Sequence, residues 1–216
     1  FHLLLELLTP VSKTYPSEMG RVSVSNGLQV LGGYGFCSDF VLQQYYRDIR
    51  IFAIYEGTTG IQSLDLLGRK VTMKNGKALQ LLIAEMQQTL EEAATYEVLK
   101  PYARQLSEKM EDIQQVLRRL LGIAATGDYE RFLADASIFM EHFSTILDAW
   151  QWLKMGTAAR RALVVGNGRF ADDFYEAKLH AMKFFYKYEL PKTLGLAQTL
   201  MDETALTLSD ATISID

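Results

Sequence analysis

The residues whose types and spacing could do chemistry lie in two short stretches of the first third of the chain. One is Tyr55-Glu56-Gly57-Thr58-Thr59-Gly60, a loop with a single carboxylate between the apolar run Ile51-Phe52-Ala53-Ile54 and a helix expected from about Thr59 to Arg69. Apolar surroundings disfavour the charged form of a carboxyl group and raise its pKa, which would suit Glu56 to accept a proton from a weak carbon acid. Gly57 and Gly60 leave room for a planar ligand, while Thr58 and Thr59 offer hydroxyls and helix-end amides to a polar edge or a phosphate. The plain alternative is a surface loop in which Thr59 caps the helix. The second stretch is Gly32-Gly33-Tyr34-Gly35, a turn that lets backbone approach a ligand closely. Its spacing is neither a dinucleotide fingerprint nor a phosphate loop, so by spacing alone it reads as a helix–helix turn with Ser38 or Asp39 capping the second helix.

The elements that must position these loops are helices. Alternating β-branched runs are short, and apolar spacings of three and four recur from end to end, which predicts an all-α fold of up-and-down helical bundles. Leu79, Ile83, Met86, Leu90 and Ala93 mark one helix, and Leu99, Ala103, Leu106, Met110, Ile113, Leu117 and Leu120 a second. A third is expected with Asp128 as its cap and Phe132, Ala136, Phe139, Phe143, Ile146 and Trp150 on one side. A partner is expected to follow within a few residues, carrying Trp152, Met155, Ala159 and Ala162 up to Gly166-Asn167-Gly168. A fifth runs over Phe174, Ala177, Ala181, Phe184 and Tyr188 and ends at Pro191. These aromatic stripes read as core. Asn75-Gly76 reads as a turn, so residues 1–72 and 73–216 form two domains, with Thr204 to Asp216 a loose tail.

Composition narrows the function classes. In 216 residues, 49% are hydrophobic and 22% charged, which is globular composition rather than a disordered or fibrous one. A formal charge of −4 supplies no basic footprint, so nucleic acid and anionic membrane surfaces are not expected partners. The apolar opening Phe1–Leu8 is broken by His2 and Glu6 and is too short for a span or a signal peptide. The chain opens at Phe1 already inside a helical pattern, as expected of a piece of a longer protein. Cys37 stands alone, which fits a reducing compartment and a structural thiol. Glu176 and His180 sit one turn apart and read as a surface pair, so no metal is expected.

Three segments in fixed order resemble one family. Leu28-Gln29-Val30-Leu31-Gly32-Gly33-Tyr34-Gly35-Phe36, Tyr46-Arg47-Asp48-Ile49-Arg50 and Ile54-Tyr55-Glu56-Gly57-Thr58-Thr59-Gly60-Ile61-Gln62 resemble the C-terminal helical domain of flavin-dependent acyl-CoA dehydrogenases. The likeness covers residues 1–72. The remainder is similar to the extra C-terminal helical domain of a bacterial branch, that of 3-methylmercaptopropionyl-CoA dehydrogenase.

The resemblance implies FAD-dependent α,β-dehydrogenation of an acyl-CoA thioester. It makes Glu56 the base that removes the α-proton while a hydride leaves the β-carbon for the flavin, and it puts Gly57 beside the thioester. By the same likeness Gln29 and Gly33 contact the FAD of a neighbouring subunit, and Thr58, Gly60 and Gln62 lie near the subunit's own FAD. Gly60 stands where the family commonly has Ser or Asn, which leaves backbone contact there. Arg47 and Asp48 match the family's Arg-Asp pair and are expected to form an internal ion pair. The implied partners are an acyl-CoA, a homodimer or homotetramer, and an electron-transferring flavoprotein, in bacterial cytoplasm or the mitochondrial matrix. As a fragment lacking the other domains of that family, the isolated chain is expected to bind FAD weakly and to be inactive. Two other classes stand beside it: a repurposed flavoprotein of the alkylation-response type, and a helical oligomerisation or interaction module whose surplus aromatics between Phe170 and Tyr188 face a partner.

Overall fold

The computed structural model describes residues 1–166, 168–204 and 206–208. No strand forms among them, in agreement with the all-α expectation. The chain divides into two compact units, Phe1–Leu79 and Gln80–Asp216.

In the first unit a long helix, α1 (His2–Leu31), is the support for everything after it. It continues through Pro10 and Pro16, each of which removes a backbone donor. Hydroxyls bind carbonyls a turn back around them: Thr9 Oγ1 donates to Leu5 O at 2.6 Å, and Ser17 Oγ to Lys13 O at 2.5 Å. Leu7, Val11 and Thr14 bury against a core that also holds Ala53, Leu66, Leu67 and Val71. The glycine-rich segment is a 3₁₀ turn, Gly32–Phe36, folded back on α1. A Cβ on Gly35 would come within 2.5 Å of the Leu28 carbonyl, so only glycine permits that return. Helix α2 (Leu42–Asp48), a 3₁₀ turn (Ile49–Ala53), α3 (Thr59–Asp65) and a π turn (Leu66–Lys70) complete the unit. Neither Ser38 nor Asp39 caps α2: its cap position is Val41, with no side-chain hydrogen bond.

The turn read at Asn75-Gly76 is present. Helix α4 (Met73–Ala94) is interrupted there by Lys74, Asn75 and Gly76, all at positive φ.

In the second unit the remainder of α4 is joined by α5 (Lys100–Ala125), α6 (Tyr129–Leu133), α7 (Ala136–Val165), α8 (Asp172–Tyr188) and α9 (Thr193–Leu200). Its centre is α7, which packs against α5, α8 and α9. Two expectations are corrected here. The helices expected on either side of Trp150 are one helix of 30 residues, because Trp150-Gln151-Trp152 holds no glycine or proline and α7 is buried on nearly every side from Phe139 to Trp150. Asp128 caps only the short α6, accepting from Arg131 N at 3.0 Å, and α7 begins separately at Ala136. Gly166 ends α7 in the left-handed conformation, as its type predicts. Asn167 lies outside the described residues, as do residue 205 and residues 209–216 of the expected loose tail. Thr204 is described: its amide donates to Asp202 Oδ1 at 2.7 Å.

Polar links tie this core together. Trp150 Nε1 donates to Thr89 Oγ1 at 2.7 Å inside it, and the Tyr186 hydroxyl donates to Ala149 O at 3.1 Å. Burial pushes the Tyr186 phenol far above its ordinary range. Of the aromatics expected to be core, Phe139 and Phe143 are fully buried, whereas Phe174, Phe184 and Tyr188 are exposed along α8, as is Phe170 just before it. That helix buries Leu179, Met182, Phe185 and Tyr186 instead, and so has a second, outward aromatic stripe.

Candidate functional site

The Glu56 loop links the 3₁₀ turn at Ile49–Ala53 to α3. Glu56 and Gly57 both have positive φ, 54° and 90°. For a residue with a Cβ this conformation costs about 1–2 kcal/mol, so it persists only where the surroundings enforce it. Five side chains brace the loop. Gln62 Nε2 donates to Glu56 O at 2.9 Å, and Lys13 Nζ of α1 donates to Gly57 O at 2.5 Å. Thr59 Oγ1 donates to Glu18 Oε1, also of α1, at 2.7 Å. Thr58, rather than Thr59, is the cap of α3, and its hydroxyl accepts from Ile61 N at 3.3 Å.

The carboxylate of Glu56 is exposed and has no side-chain hydrogen bond among the described residues. The apolar burial expected for it is therefore not supplied by its sequence neighbours. Ile51, Phe52, Ile54 and Tyr55 are themselves 42–51% exposed, and only Ala53 is buried. Neighbours in sequence along a 3₁₀ turn point in different directions, so an apolar run does not by itself enclose the residue after it.

Thr58 and Gly60 lie on the exposed side of the loop, with Gln62 half-buried beneath Gly57. Gln29 and Gly33 are brought together elsewhere in the same unit. They line an open groove of about 450 Å³ with Ser25, Gly32, Phe36 and Tyr46. Nothing lies within 4 Å of where a Cβ would stand on Gly32 or Gly33, so bare backbone faces open space there. Backbone in this groove could be approached closely by an extended polar group.

Arg47 and Asp48 correct another expectation. Both are exposed and make no ion pair with each other; consecutive positions on α2 diverge by about 100° around its axis. They line a wider groove of about 870 Å³ with Arg21, Arg50, Phe52 and Ile54. Lys13 and Glu18 were missed by the reading of the sequence, and their signal was faint: they are two of the four charged residues of α1, beside Glu6 and Arg21, and lie more than forty positions from the loop they hold. Among the described residues no cluster of His, Cys, Asp and Glu could hold a metal ion, Cys37 is an exposed free thiol, and no helix is long and apolar enough to cross a membrane.

A helical domain with a glycine turn folded on its first helix and an exposed carboxylate ahead of a capped helix matches a recognised kind of module. The family model described as acyl-CoA dehydrogenase, C-terminal domain, matches residues 5–72, and the one described as acetyl-CoA dehydrogenase C-terminal like matches residues 82–209. The chain belongs to the acyl-CoA dehydrogenase C-terminal family. It is 31% identical over 216 residues to a broad-specificity linear acyl-CoA dehydrogenase of Mycobacterium tuberculosis, covering 95% of this chain and 35% of that protein. It is 28% identical over 195 residues to a butyryl-CoA dehydrogenase of Syntrophomonas wolfei, covering 88% and 31%. Over 185 residues it is 31% identical to the 3-methylmercaptopropionyl-CoA dehydrogenase of Ruegeria pomeroyi, covering 84% and 30%. The chain thus spans about a third of the length of these relatives.

Proposed function

We propose that these 216 residues are the C-terminal part of a longer FAD-dependent acyl-CoA dehydrogenase, and that Glu56 is the base that takes the α-proton of an acyl-CoA thioester. Residues 1–72 carry the site and residues 73–216 form an added helical bundle. The observation that carries the reading is the Glu56 loop: a carboxylate on a backbone at positive φ, held from both sides and presented outward. Strain retained at a polar exposed loop is a mark of a functional position.

Each residue has a part in this reading. The α-proton of a thioester is only weakly acidic, so Glu56 accepts it efficiently once its surroundings are dry, and the exposed Ile54 and Tyr55 are apolar surface that further domains of the full-length protein would cover. Gly57 leaves the thioester room to approach. Thr58, Gly60 and Gln62 would lie along the subunit's own FAD, and Gln29 and Gly33 would hold the diphosphate side of a neighbouring subunit's FAD in the glycine groove. The flavin, when bound, supplies the acceptor for the β-hydride.

The likeness extends to an oligomer, a homodimer or homotetramer, and to an electron-transferring flavoprotein as the acceptor of electrons. The isolated chain lacks the remaining flavin and CoA contacts and is inactive in this account. The test is to purify the full-length protein, record its flavin spectrum and add acyl-CoA thioesters without oxygen. Bleaching supports the reading; a yellow protein that no thioester bleaches, or a colourless one, contradicts it.

One observation favours a second role for residues 73–216. Phe174, Phe184 and Tyr188 lie exposed along α8, with Phe170 exposed just before it, an apolar stripe of the kind found at subunit contacts. Phe174→Asp with Phe184→Asp would lower the oligomeric state in sedimentation; an unchanged mass contradicts that role.

A further inference from the structure

Glu56 has no side-chain partner among the described residues, so the direction of its carboxylate is set by the backbone that bears it. That backbone sits in the left-handed region at two successive residues, and both of their carbonyls are caught by side chains. Gln62 holds the first from within α3, so it moves with the loop. Lys13 holds the second from α1, a separate and longer helix whose adjoining residues Leu7, Val11 and Thr14 are anchored in the core. Lys13 is half-buried, and no carboxylate lies within ion-pair range of it among the described residues. Glu18, the acid nearest along α1, is engaged with Arg21 and Thr59 instead. The Gly57 carbonyl is therefore the partner for which this lysine is placed.

We infer that Lys13 is the positioning residue of the Glu56 loop: by donating Nζ to the Gly57 carbonyl it locks the left-handed backbone from which Glu56 reaches the substrate. The inference rests on the reading of Glu56 as the base. A hydrogen bond from an ionised donor is among the stronger ones available, and it ties the loop to the helix against which α2, α3 and the turns of the unit pack. Misplacing a base by about an ångström can cost on the order of a hundredfold in rate, so a tether of this kind acts on the chemical step rather than on binding.

The test uses the full-length flavin-loaded protein with Lys13→Met, which keeps the stem, Lys13→Arg, which keeps a donor, and Glu56→Gln for comparison. Amide hydrogen exchange is followed in the peptide spanning Tyr55–Gly60. Flavin reduction is followed in stopped flow with the straight-chain C4 to C16 acyl-CoA that bleaches wild type fastest. Lys13→Met is expected to speed exchange in that peptide about tenfold and to slow limiting flavin reduction by roughly ten- to a hundredfold, with the half-saturating acyl-CoA concentration moving less than about threefold. Lys13→Arg is expected to recover most of both. Wild-type exchange or a reduction rate within about twofold of wild type in Lys13→Met overturns the inference, as does a loss that Lys13→Arg does not restore. Flavin reduction that survives in Glu56→Gln overturns the assignment of the base instead, and the exchange measurement separates that outcome from a failure of the tether.

Discussion

Gln62 Nε2 donates to the carbonyl of Glu56 at 2.9 Å, and a Cβ on Gly57 would stand 2.8 Å from that same nitrogen. A side chain at residue 57 would therefore push the Gln62 amide off the Glu56 carbonyl, and the φ of 90° there asks for glycine independently. Gly57→Ala meets both constraints at once. It is expected to destabilise the loop by about 1–3 kcal/mol and to cut flavin reduction in the full-length protein at least about tenfold. Stopped-flow reduction and thermal unfolding of that variant check this; wild-type values in both would show that the clamp does not constrain the site.

His142 should make the stability of the second unit depend on pH. It is fully buried on α7, and neither ring nitrogen has a hydrogen-bond partner among the described residues. Burial lowers its pKa from 6.5 to about 4; of the charges that act on it, Asp112 opposes the shift and Lys109 assists it. The unfolded chain takes up the proton below about 6.5, while the folded chain refuses it until about 4. Stability is therefore complete above 6.5 and falls through that window, by about 3 kcal/mol in all. His142→Leu removes the two unpaired nitrogens and is expected to flatten the dependence while matching or exceeding wild type at pH 7. Urea unfolding from pH 7.5 to 4.5 tests it, and equal slopes for the two proteins would contradict it.

The Trp150–Thr89 hydrogen bond joins α7 to α4 inside the core. Thr89→Val keeps the volume and strands the indole N–H, at an expected cost of about 1–3 kcal/mol. Adding Trp150→Phe removes the stranded donor, so the double variant is expected to lose less than the sum of the singles. Additive losses in denaturant titrations would show that the bond contributes nothing of its own.

How far these features were legible in the sequence depends on how local their causes are. Spacings of three and four fixed the helical class, and Asn75-Gly76 and Gly166 marked chain turns because their conformations follow from residue type. The continuity of α7 through Trp150 was not legible, since an amphipathic pattern that drifts around a centrally buried helix resembles two helices with two faces. Glu56 could be singled out from its motif, yet its environment could not: exposure of Ile54 and Tyr55 is decided by where the 3₁₀ turn leaves them, not by their apolar character. Lys13 and Glu18 lie 44 and 41 positions from their partners, and only the path of α1 past the loop joins them to it.

The most direct test of the central claim is anaerobic mixing of the full-length flavoprotein, wild type and Glu56→Gln, with the acyl-CoA that reduces it best. The account predicts rapid bleaching in wild type and a rate lowered by at least about a thousandfold in the variant, with flavin content and fold unchanged. Bleaching at a comparable rate in Glu56→Gln would contradict it, and would move the base to another residue.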